Sequence, residues 1–123
     1  MPSAPKNVRV IFVNRSGLEL QWQPPVVTGD ETHVFYDIAI DCRKPCEDED
    51  HDKSVNKVCG SDVIFIPKKE GLNVTHVIVG NLSSFVVYTM KISAKNRVSE
   101  LARRKYGIEA KLTEITVRTN GSG

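Results

Sequence analysis

The sequence predicts an all-β sandwich of seven strands, and three observations support that prediction. Apolar and polar residues alternate with a period of two in several short segments, as at Leu18, Leu20 and Trp22. Turn-forming residues separate those segments. The chain has 123 residues, of which 40% are hydrophobic, so it can bury one core and fits one domain. Several short strands divided by turn signals are typical of a sandwich.

Each predicted strand is defined by its own alternation and by the residues that end it. Val8, Val10 and Phe12 mark the first strand, and Trp22 lies near the end of the second. Pro24 and Pro25 stop that second strand because proline cannot donate a ladder hydrogen bond. Pro67 ends the fourth strand in the same way. The predicted strands cover residues 8–12, 18–23, 34–41, 63–66, 75–82, 86–96 and 106–119.

The last predicted strand contains a change of phase. Its apolar residues from Tyr106 to Leu112 share one parity, whereas Ile115 and Val117 lie on the other. A β-bulge at Thr113–Glu114 would restore a common inward face, and we expect one there. The alternative is that half of the strand faces outward. Residues 99–105, just before this strand, are expected to form a helical turn.

A polar insert, residues 43–60, separates the third and fourth strands; it contains Cys46 and Cys59 and directly follows Cys42. Cys42, Cys46 and Cys59 are compatible with three reduced thiols, with one disulfide and a free thiol, or with a zinc site that adds His51. The spacings match none of the standard zinc patterns. The acidic run at residues 47–50 lacks the spaced ligands and glycine of a calcium loop, so we interpret it as solvated.

Composition and motifs exclude several classes of function. Seventeen basic and fifteen acidic residues give a net charge of +2, too small for a nucleic-acid module that binds by bulk charge. His33, His51 and His76 are scattered, and no glycine-rich phosphate loop precedes a helix. We expect no catalytic activity and no cofactor or metal. Asn-x-Ser/Thr sequons at Asn14, Asn73 and Asn81 indicate glycosylation of an exported chain.

A set of core residues resembles the fibronectin type III domain, an immunoglobulin-like sandwich. Those residues are Trp22 before two prolines, Tyr36, and Leu82 six positions before Tyr88. The resemblance covers residues 3–119 and implies that all four side chains are buried, with Tyr88 as the tyrosine corner. Residues 120–123 are expected to be a linker or an expression scar.

A narrower set of features is similar to the first fibronectin type III domain of Eph (ephrin) receptor tyrosine kinases. It comprises the cysteine-bearing insert, the segment 59–67, Gly71–Leu72, and Asn96-x-Val98-Ser99. Asn56 stands where such domains typically have another cysteine, so the resemblance implies a divergent member. The resemblance implies the extracellular part of a single-pass plasma-membrane receptor. There the module would be a spacer that touches other domains and makes lateral receptor contacts in cell–cell signalling. The alternative is a domain of another receptor or adhesion protein that binds its partner through loops.

Two site predictions follow. Cys42 and Cys59 flank the insert at facing ends of adjacent strands, so we expect them to form a disulfide, with Cys46–Cys59 as the competing pair. A basic stretch before the last strand is either a solvated connector or a site that binds an anionic ligand. Its ligand would be a sulfated glycan, phospholipid headgroups or an acidic protein patch. The stretch comprises Arg97, Arg103, Arg104 and Lys105.

Overall fold

The computed structural model describes residues 2–28, 33–43 and 60–120, and the statements below concern those residues. They form seven strands and one helix. The elements in chain order are β1 (Lys6–Asn14), β2 (Gly17–Gln23), β3 (Phe35–Arg43), β4 (Ile64–Ile66), β5 (His76–Gly80), β6 (Val87–Lys95), α1 (Arg97–Tyr106) and β7 (Leu112–Arg118).

The strands form two antiparallel sheets, which confirms the predicted all-β sandwich. One sheet has the order β1-β2-β5-β4, and the other has the order β3-β6-β7. Strand β3 ends at Arg43 in the smaller sheet, and β4 begins at Ile64 at the edge of the larger one. The predicted cysteine-bearing insert falls between these strands, and its residues 44–59 lie outside the described part of the chain.

The core lies between the sheets and is filled by one parity of each strand. Leu18, Leu20 and Trp22 on β2 are buried, as the alternation predicts. The rings of Trp22 and Tyr36 meet edge to face with centroids 5.4 Å apart. Leu82 and Tyr88 are also buried, so all four core residues expected from the sequence lie inside.

A hydrogen-bonded corner joins β5 to β6 and holds the end of β7. The backbone N–H of Ser83 donates to the Tyr88 hydroxyl at 2.8 Å. Thr119, which is buried, donates its hydroxyl to the carbonyl of Ser83 at 2.6 Å and accepts from the N–H of Val86 at 3.0 Å. The corner therefore supplies hydrogen-bond partners to backbone groups of the turn that have none within the sheets.

The last strand differs from its prediction in two ways. It begins at Leu112, not at residue 106, because α1 extends to Tyr106 and Gly107 caps the helix. The expected bulge at Thr113–Glu114 is wrong, since β7 pairs with β6 in one unbroken register. The strand contains only the residues from Leu112 onward, so the apolar residues of the other parity before it lie outside β7. Ile115 and Val117 face inward and Leu112 faces solvent.

Candidate functional site

Helix α1, between β6 and β7, is the main departure from the strand pattern in the described part of the chain. Local capping fixes both of its ends. The buried side chain of Asn96 accepts a 2.8 Å hydrogen bond from the N–H of Ser99. The Ser99 hydroxyl accepts a 2.9 Å bond from the N–H of Asn96, which completes a capping box. At the other end Gly107 has φ 69° and donates its N–H to the carbonyl of Arg103 at 2.9 Å. The expected helical turn is therefore a ten-residue helix.

The first turn of α1 is tied to the sandwich by hydrogen bonds and ion pairs. Asn96 Nδ2 donates to the carbonyl of Thr28 at 2.8 Å. Lys95 Nζ lies 2.7 Å from Asp37 Oδ2 and 3.5 Å from Glu100 Oε2. Burial alone lowers the pKa of Lys95, but the hydrogen bonds and charges of Asp37 and Glu100 outweigh it and raise that pKa above its ordinary value. The helix is consequently fixed to β3 and β6.

The exposed side of α1 combines apolar and basic side chains. Val98 is 46% exposed and Leu101 is 52% exposed, and Tyr106 is largely in solvent. The structure places all four predicted basic residues on this helix, each of them exposed; they are Arg97, Arg103, Arg104 and Lys105. One of them, Arg103, pairs with Glu100 at 3.4 Å. The arrangement offers a rigid, positively charged surface with apolar side chains among the charges.

Cys42 lies on β3 opposite Tyr88 and is disulfide-bonded. Its partner is outside the described residues. Gly60, the residue after Cys59, is described, and a Cβ at Gly60 would lie 3.9 Å from Cys42 Sγ. Gly60 is therefore close to Cys42 in space and is the next residue after Cys59 in the sequence. The choice between Cys46 and Cys59 remains a prediction, and this proximity favours Cys59.

The three sequon asparagines are exposed. Asn14 ends β1, Asn73 lies before β5, and Asn81 follows it. The Asn81 amide donates to the carbonyl of Asp62 at 3.0 Å. All three are therefore accessible at the surface, and their modification remains a prediction.

The structure brings together no candidate catalytic or metal-binding group in its described residues. His33 is exposed, and the ring of His76, also exposed, lies 3.8 Å from the Glu19 carboxylate. Nowhere in residues 2–28, 33–43 and 60–120 do three His, Cys, Asp or Glu side chains cluster as metal ligands would. The zinc alternative with His51 falls on residues outside this range. No helix in the same ranges has the length and apolar content needed to cross a bilayer.

Comparison with known proteins gives the family. The fibronectin type III domain model matches residues 3–108. Human ephrin type-A receptor 6 is 40% identical over 107 residues, which are 82% of this chain and 9% of that receptor. Chicken ephrin type-B receptor 1 is 36% identical over 99 residues, 80% of this chain and 9% of the receptor. Rat ephrin type-A receptor 6 is 38% identical, and the match covers 97% of this chain and 10% of that receptor. The chain thus spans about a tenth of these relatives.

Two solved structures share the fold at low sequence identity. The FN5 domain of Drosophila Lar has a TM-score of 0.57 and 15% identity, and the match covers 99% of this chain and 100% of that one. The FN1–FN3 domains of chicken CNTN1 give the same TM-score with 17% identity, over 98% of this chain and 33% of that one. Both support the sandwich architecture alone.

Proposed function

This chain belongs to the fibronectin type III domain family, and we propose that it is a non-catalytic extracellular module of an ephrin-receptor-like cell-surface protein. In this proposal residues 3–119 form the first such domain of the extracellular part of a single-pass receptor. The module spaces neighbouring domains and makes lateral contacts between receptors. Its similarity at 36–40% identity to several ephrin receptors supports this assignment.

The fixed position and the exposed side chains of helix α1 are the observation that supports the lateral contact. Its two caps and its ion pairs to β3 and β6 fix its position, so docking a partner on it costs little ordering entropy. Exposed Val98 and Leu101 lie among arginines, and arginine beside apolar side chains is typical of protein interfaces. The favoured partner is therefore an acidic protein surface on a neighbouring receptor, such as another copy.

The second candidate is an anionic glycan or a membrane surface bound by the same helix. The basic side chains of α1 support it, since sulfates and phosphates attract clustered positive charge. Such binding depends on charge and needs no contribution from Leu101. Apolar and basic substitutions therefore separate the two candidates.

Cell-surface display tests the lateral contact under the geometry that a receptor imposes. Copies of the chain carrying donor and acceptor fluorophores are attached to cells through an unrelated membrane-spanning anchor. We expect energy transfer between copies to fall in Leu101→Asn. Phe85→Asn is the matched control, because Phe85 is exposed at the opposite end of β6.

Equal transfer in both variants, or none in the parent chain, contradicts contact between copies through α1. Retention on heparin that survives Leu101→Asn, together with absent energy transfer, favours the anionic glycan.

A further inference from the structure

The outer face of the four-stranded sheet carries an apolar surface, here called the outer patch, which consists of Ile11, Ile64, Ile66 and Ile78. Strand register places Ile11, Glu19, Ile78 and Ile66 in one row across β1, β2, β5 and β4. Ile11, Ile64 and Ile66 are 47%, 52% and 54% exposed. The carboxylate of Glu19 lies 3.8 Å from His76, on the neighbouring strand β5. Exposed apolar side chains that are grouped on one face, unlike scattered ones, often mark a surface that contacts another group.

Two glycines form a shallow floor beside the outer patch. Leu18 pairs with Val79, so Gly17 and Gly80 are the next residues on the two central strands. A Cβ at Gly80 would lie 3.2 Å from Ile64 Cγ1. A Cβ at Gly17 would lie 3.4 Å from Asn14 Oδ1. The side chains of Ile64 and Asn14 therefore reach over this floor from opposite edges of the sheet.

A register shift brings Asn14 to the outer face. Pairing of β1 with β2 shifts between Phe12 and Asn14, and Asn14 pairs with Gly17. Its Oδ1 accepts hydrogen bonds from the N–H of Ser16 at 2.9 Å and the Ser16 hydroxyl at 3.2 Å. Within the described residues, Asn14 Nδ2 donates no hydrogen bond. This nitrogen, to which a sequon glycan is attached, is thus left available at the edge of the outer patch.

We propose that an N-linked glycan on Asn14 lies across the outer patch and shields it from water and from other chains. Sugar rings have apolar C–H faces that can pack on isoleucine while their hydroxyl groups remain hydrated. From β1 to β4 the sheet is about 14 Å wide, a span that an oligosaccharide of several rings can cover. The inference rests on the proposed function, because it requires an exported chain.

The other sequons differ in position. Asn81 also lies near this end, but its amide is directed to the carbonyl of Asp62. Asn73 precedes the opposite end of β5 and provides the matched control. Ser16→Ala and Thr75→Ala remove the Asn14 and Asn73 sequons while keeping both asparagines.

The test uses the chain secreted from animal cells, with glycopeptide mass spectrometry, hydrophobic-dye fluorescence and sedimentation velocity. We expect Asn14 to be occupied, Ser16→Ala to raise dye fluorescence severalfold or cause self-association, and Thr75→Ala to match the parent. Adding Ile11→Thr and Ile66→Thr to Ser16→Ala should abolish the rise. Both isoleucines are exposed and threonine suits strands, so the fold should be retained.

Three results overturn the inference. They are an unoccupied Asn14 beside an occupied Asn73, equal dye signals in the two sequon variants, and self-association of the glycosylated parent that Ile66→Thr abolishes. The last result would make the outer patch an interface between copies. An Asn14 that stays unoccupied in the secreted chain refutes the shielding while the proposed export stands, so the two failures are distinguishable.

Discussion

The hydroxyl of Tyr88 accepts a 2.8 Å hydrogen bond from the backbone N–H of Ser83, five residues earlier in the chain. The tyrosine side chain is buried, and the bond closes the turn between β5 and β6. This is the tyrosine corner that the resemblance implies.

Tyr88→Phe should lower the free energy of unfolding by about 1–3 kcal/mol, because the N–H of Ser83 loses its partner in a partly buried place. Urea denaturation measures the change. Tyr106→Phe is the control and should have no effect, since Tyr106 lies largely in solvent. Equal effects in the two variants would show that the corner bond contributes nothing.

The Lys95–Asp37 pair should show a coupling of about 1–2 kcal/mol in a double-mutant cycle, since both side chains are mostly buried and hydrogen-bonded. The Lys91–Asp41 pair, at 3.5 Å and more exposed, is the control and should couple by less than about 0.5 kcal/mol. Similar coupling in both pairs would contradict the role of burial.

Raising the pH should remove the contribution of Lys95. Its pKa is raised in the folded state, so the stabilisation is complete below the ordinary value of 10.5 and is lost as the pH rises through the folded value. Burial also raises the pKa of Tyr36, with the same sign. We expect Lys95→Met to lose less stability than the parent as the pH rises from about 9 to about 12. Parallel pH profiles would refute this.

Gly107→Ala should destabilise the end of α1 by about 1 kcal/mol, because φ 69° places a Cβ in a strained conformation. Gly107→Asn should cost less, since asparagine tolerates this region. Amide hydrogen exchange of residues 103–106 gives the local measurement. Equal protection in the alanine and asparagine variants would count against the cap.

Non-reducing peptide mapping should join Cys42 to Cys59. Cys59→Ser should then cost about 3 kcal/mol by the chain-entropy estimate. Cys46→Ser should leave the stability of the oxidised protein unchanged. A bridge that contains Cys46 would reverse these two outcomes.

Changing Arg103, Arg104 and Lys105 to alanine should reduce salt-sensitive retention on heparin and anionic liposomes. Changing Lys6, Arg9 and Arg15 to alanine removes the same charge from exposed positions on and beside β1. We expect this control to retain most of the binding. Equal losses would indicate net charge alone, and no retention of the parent would exclude both anionic surfaces.

The sequence predicts much of the fold because strand alternation is a local property. Leu18, Leu20 and Trp22 alternate with polar residues, and all three are buried. The signals for α1 were also present locally, as Asn96 followed by Ser99 and then Gly107. Tyr106 and Ile108 happen to continue the parity of Leu112, so alternation alone extended the last strand too far.

The sequence by itself determined the two-sheet class, the core residues and the four basic side chains that α1 carries. Only the tertiary structure decided that Lys95 pairs with Asp37, that Cys42 lies beside Gly60, and that Asn14 reaches over Gly17. Alternation repeats every two residues and can be recognised within a single segment of the sequence. Register, by contrast, is set between strands, so a shift such as the one at Asn14 appears only when β1 is paired with β2.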